Sequence, residues 1–117
     1  MSVHTILVVA DEPIARNTIM HALTARDFRV YEADSEIEAE LLSKALGSSA
    51  FDLVIVESAL VQSVSRLYPA ARMLVLAAPR DMRAPDALVL DAIFLQRTFT
   101  PQQLLDAVAD ALTPRTQ

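Results

Sequence analysis

The stretch Ile6-Leu7-Val8-Val9-Ala10-Asp11-Glu12-Pro13 decides the fold. Its first five residues are apolar at odd and even positions alike, as in a strand covered on both faces. Pro13 suits the first position of a helix, where its missing N–H costs nothing and its fixed φ is already helical. Asp11 and Glu12 therefore belong to the turn at the carboxyl end of a buried strand. In an open parallel α/β sheet that edge is where ligands and ions bind.

Outward from this stretch the same alternation repeats. Arg29–Tyr31, Leu53–Val56, Met73–Leu76 and Ile93–Leu95 are short and apolar, like Thr5–Val9, and read as strands. Helical spacing lies between them. Ile19 and Leu23 are one turn apart on the first helix; Ile37/Leu41 and Leu42/Ala45 are so placed on the second, and Leu104, Val108 and Leu112 on the last. Ser35-Glu36-Ile37-Glu38 and Thr100-Pro101-Gln102-Gln103 fit capping boxes, and Gly47 fits a helix stop. Pro69 limits the third helix, within Ser58–Ala71. Pro79 and Pro85 interrupt the fourth, within Ala78–Asp91, so both are expected to be short. Five βα units imply a doubly wound α/β fold, a five-stranded parallel sheet with helices on both faces.

Composition narrows the function. The chain has 117 residues, 53% of them hydrophobic, which suits one folded domain rather than a disordered segment. Its net charge of −5 speaks against a nucleic-acid surface. With no cysteine there is no disulfide, thiol nucleophile or Cys-based zinc site, and the lone Gly47 excludes a Gly-rich phosphate loop. No apolar run approaches the roughly 18 residues of a membrane span, and no basic region leads into an apolar signal core. A cytoplasmic protein without membrane contact is expected. His4 and His21 have no partner spacing that suggests a metal or catalysis.

Over about residues 5–112 the chain resembles the receiver domain of two-component response regulators. Ile6–Pro13, with Arg16 following, is similar to that family's first strand and acidic turn. Phe51-Asp52-Leu53-Val54-Ile55-Val56-Glu57 is similar to the third strand and its phosphoacceptor. Met73–Ala78 is similar to the fourth strand and its switch residue, and Phe94-Leu95-Gln96-Arg97-Thr98-Phe99 to the fifth strand and its Lys-Pro turn. The resemblance implies a flavodoxin-like (βα)5 fold of strand order 2-1-3-4-5, a receiver-like domain over 1–112 and a tail or linker start over 113–117. It also implies a chemistry in which an aspartate takes a phosphoryl group, Mg²⁺ held by the acidic turn neutralises phosphoryl charge, and a hydroxyl and a lysine bind phosphoryl oxygens.

The residues depart from that pattern at the site itself. Ala10 stands where the first metal-binding acid belongs, so Asp11 remains, with Glu12 beside it. Glu57 holds the phosphoacceptor position, Ala77 the switch-hydroxyl position and Arg97 the lysine position, with Thr98 in place of proline. Phe94 matches the aromatic that rotates with the switch hydroxyl; beside Ala77 it is expected to be a packing residue. Glu57 reaches about 1.5 Å further than aspartate, one bond length. It reads either as an acid paired with Arg97 or as a mimic of the phosphorylated state. Asp11 is expected to cap the first helix, and Asp11, Glu12 and Glu57 to bind Mg²⁺ at most weakly. No cofactor and no enzymatic activity are expected.

Three functions remain open. The first is a phosphorylation-independent pseudo-receiver. It would act through a protein partner or a second copy at the face of the fourth helix, fifth strand and fifth helix, about Pro85–Ala111, with a histidine kinase or fused effector domain as partner. The others are a receiver still phosphorylated weakly by a histidine kinase and a small-molecule-binding α/β domain.

Overall fold

The computed structural model of the chain describes residues 4–77, 93–96 and 99–112. Strands β1 (Thr5–Val9), β2 (Arg29–Ala33), β3 (Leu53–Glu57), β4 (Arg72–Ala77) and β5 (Ile93–Gln96) form one sheet of order β2-β1-β3-β4-β5. Every pairing is parallel. Helices α1 (Pro13–Thr24), α2 (Glu36–Leu46), α3 (Val61–Leu67) and α4 (Pro101–Leu112) connect or follow the strands. The short helix expected within Ala78–Asp91 and the tail at Thr113–Gln117 lie outside the described residues.

Strand alternation builds two cores. Leu7, Val9, Val54, Val56, Met73 and Val75 point to one face of the sheet, against Ala39 of α2 and Val61 and Val64 of α3. Ile6, Val8, Leu53, Ile55, Leu74 and Leu76 point to the other, against Ile19 and Leu23 of α1 and Leu104, Val108 and Ala111 of α4. Because both faces are covered, successive strand residues must all be apolar, the pattern that Ile6–Ala10 displays. Each fully buried Ile or Leu contributes about 1.5–3 kcal/mol by transfer from water.

The termini of the helices follow local chemistry. At α4 the capping box is reciprocal: Thr100 Oγ1 accepts the Gln103 N–H at 3.1 Å, and Gln103 Oε1 accepts the Thr100 N–H at 2.9 Å. At α2, Ser35 Oγ accepts the Glu38 N–H at 3.3 Å, but Glu38 Oε1 turns to the Asp34 N–H at 2.7 Å, one residue before the expected donor. Gly47 ends α2 at φ 96°, a conformation that side chains resist. The third helix is short, as expected: a 3₁₀ turn at Ser58–Leu60 leads into the seven residues of α3. It stops at Tyr68, whose backbone leaves the helical region before Pro69.

The spacing of Ile37/Leu41 and Leu42/Ala45 does mark a helix, but the first pair faces solvent. Ile37 is 70% exposed and Leu41 60% exposed, while Ala39 is buried and Leu42 partly so. The reason is Tyr68. Its side chain is fully buried, and its hydroxyl donates to the Ala39 carbonyl at 2.7 Å. Such a close approach requires a small residue on the inner face of α2, which turns the Ile37/Leu41 stripe to solvent. The Tyr68 ring also meets Phe51 edge-on at 5.3 Å, and Phe51 meets Tyr31 likewise at 5.5 Å.

Candidate functional site

The parallel register brings the carboxyl ends of β1 and β3 together. Val9 lies opposite Val56, so Ala10 and Glu57 leave adjacent strands at the same level. Ala10 is fully buried, and its N–H donates to the Ala33 carbonyl at 3.1 Å, carrying the β1–β2 pairing one residue further. Glu57 is 7% exposed, and its Oε2 accepts the Asp11 N–H at 3.2 Å. The extra methylene of glutamate thus delivers a carboxylate oxygen to the backbone of the neighbouring turn. Ala77, the last residue of β4, is buried and offers no polar side-chain atom. Phe94, the second residue of β5, is half-buried and packs against the core of the α2/α3 face. Arg97, and with it the expected Glu57–Arg97 pair, lies outside the described residues.

The two acids of the turn divide their roles differently from expectation. Glu12, not Asp11, caps α1: its Oε1 accepts the Ile14 N–H at 3.1 Å and its Oε2 the Ala15 N–H at 3.0 Å. The longer side chain folds back over the first turn, while Asp11 is exposed. A carboxylate at this end also complements the helix dipole. Glu12→Ala is expected to lower stability by about 1 kcal/mol, read from urea unfolding.

Arg16 contributes more than its spacing suggests. Its Nη1 donates to the Ala10 carbonyl at 2.6 Å and its Nε donates to Glu32 Oε1 at 3.0 Å. The side chain is only 16% exposed. One guanidinium therefore holds α1 to the end of β1 and to β2. The sequence signal for it was its place one turn after Glu12, on the side of α1 that faces the strand ends. His21 lies exposed on the same helix.

Of the three acids expected to bind a divalent cation at most weakly, Asp11 keeps an exposed carboxylate and the other two are engaged. Ala10 supplies no ligand, Glu12 is spent on the helix terminus, and one Glu57 oxygen is taken by the Asp11 N–H. Among the described residues no three acidic or histidine side chains converge on a metal position. No described helix is long and apolar enough to cross a membrane.

No protein-family model matches the chain, and no curated protein does so either. Solved structures share its fold. The Vibrio cholerae chemotaxis protein CheY4 superposes with a TM-score of 0.77 at 21% identity, over 95% of this chain and all of that one. A response regulator receiver domain from Clostridium thermocellum gives 0.77 at 22% identity, covering 94% of each chain. A receiver protein from Sinorhizobium medicae gives 0.70 at 22% identity, over 95% of each. The likeness establishes the CheY-like, flavodoxin-type fold with strand order 2-1-3-4-5.

Proposed function

We propose that the chain is a receiver-like signalling domain that works without phosphoryl transfer, through contact with another protein. The observation that carries this reading is the Glu57–Asp11 hydrogen bond. It occupies a carboxylate oxygen at the phosphoacceptor position with a backbone donor of the chain itself. Phosphoryl transfer is mostly positioning and charge neutralisation. Ala10 and Ala77 remove a metal ligand and a phosphate-binding hydroxyl, and Glu57 is buried and engaged.

A two-state domain responds only to a ligand that distinguishes the two states. In the proposed reading that ligand is a protein rather than a phosphoryl group. The proposed contact face runs over about Pro85–Ala111, which includes β5 and α4, and its occupant is a histidine kinase, a fused effector domain or a second copy. No catalysis of its own is proposed for the domain. The test is exposure to acetyl phosphate and Mg²⁺ followed by intact mass. The expected result is an unchanged mass; a stoichiometric gain of one phosphate overturns the proposal.

A further inference from the structure

The opposite edge of the sheet carries a second polar constellation. An open depression of about 300 Å³ lies at the amino ends of the strands, among His4, Phe51, Asp52, Ala70, Arg72 and Leu112. The backbone there is fixed: the Asp52 N–H donates to the Thr5 carbonyl at 2.8 Å, and the Arg72 N–H to the Asp52 carbonyl at 3.2 Å. Asp52 Oδ2 accepts the Thr5 N–H at 2.8 Å and lies 3.7 Å from His4 Nδ1. Asp52 Oδ1 receives no donor, and the Arg72 guanidinium has no hydrogen-bond or ion-pair partner, among the described residues. Opposite charges thus line one depression without pairing with each other. Ser49, exposed Ala70 and half-buried Leu112 complete the lining, with nearly buried Phe51 at its floor.

We infer that this depression binds a small zwitterion of the α-amino-acid class with an apolar side chain. Arg72 offers the planar fork that takes a carboxylate through two parallel bonds. Asp52 Oδ1 accepts from the ammonium, and the side chain covers Ala70 and Leu112. A dianion such as phosphate fits less well, because the Asp52 carboxylate repels it. This site is separate from the strand ends where Glu57 lies, so it stands or falls independently of the proposed function.

The test is an amide NMR titration of the intact chain with L-leucine, with isocaproate (no ammonium), with isoamylamine (no carboxylate) and with inorganic phosphate. Leucine is expected to give saturable shifts at Thr5, Asp52 and Arg72, and to bind about ten-fold or more tightly than each of the others, the worth of one well-placed charged contact. Arg72→Gln, which leaves the backbone bond to Asp52 in place, is expected to abolish saturation while keeping the spectrum of the folded chain. The inference is overturned if leucine gives no saturable shift, if any of the other three probes matches it, or if folded Arg72→Gln binds leucine as the wild type does. Should Arg72→Gln not fold, the comparison of the four probes on the wild-type chain decides.

Discussion

Tyr68→Ala is expected to cost about 3–5 kcal/mol, enough to threaten folding of a small domain. Tyr68 is among the largest fully buried side chains and belongs to the core on the α2/α3 face. Its removal empties the space between α3, α2 and Phe51 and leaves the Ala39 carbonyl without the hydroxyl donor. Tyr68→Phe separates the two losses: it keeps the ring and costs about 1 kcal/mol for the hydrogen bond. Burial raises the Tyr68 phenol above its ordinary 10.0. A raised phenol favours the folded state as long as it stays protonated. The advantage is complete below pH 10.0 and is lost as pH climbs through the folded-state value. The gap between wild type and Tyr68→Phe in urea unfolding should therefore narrow above that pH. A Tyr68→Ala chain as stable as wild type would mean that α2 does not rest on this ring.

Ala10→Asp is expected to cost about 2–3 kcal/mol at pH 7. The substitution restores the acid found in the family pattern but places it at a position with no solvent exposure, one residue from the amide that Glu57 holds. Burial and the Glu57 carboxylate disfavour ionisation, while the Arg16 guanidinium on the Ala10 carbonyl favours it; the expected balance is a raised folded-state pKa. For such an acid the penalty appears above the unfolded value of about 4 and is complete above the folded one. Compared with wild type at the same pH, the loss should shrink towards pH 4, leaving only the steric part. A variant equal to wild type at pH 7 would show an open, hydrated turn ready to accept a cation, contrary to the proposed function.

Much of the architecture was legible because local and global preferences agree. Thr5–Val9 has its expected bounds, since an apolar run ending at Asp11 and Pro13 leaves a strand no other place to stop. Gly47 and Thr100–Gln103 likewise act through their own backbone. The orientation of α2 was not legible. Two apolar stripes run along that helix, and only Tyr68, arriving from α3, selects the one through Ala39. At the site, Ala10, Glu57 and Ala77 stand at the carboxyl ends of neighbouring strands by register, so their places could be read directly. Their partners could not. Glu12, not Asp11, occupies the N-cap position directly before Pro13, and the Asp11 N–H meets Glu57 only because β1 and β3 are neighbours.

The Arg16–Glu32 contact has a second effect, on how copies of the chain avoid each other. β2 is one of the two outer strands of this sheet, so one side of it has no strand partner. Sheets this apolar tend to recruit further strands at such a border. Arg29 and Glu32 put exposed charges on that strand, and the guanidinium of Arg16 fixes the second of them in place. The side chain that closes the β1 turn therefore also discourages open-ended, strand-by-strand growth at this border.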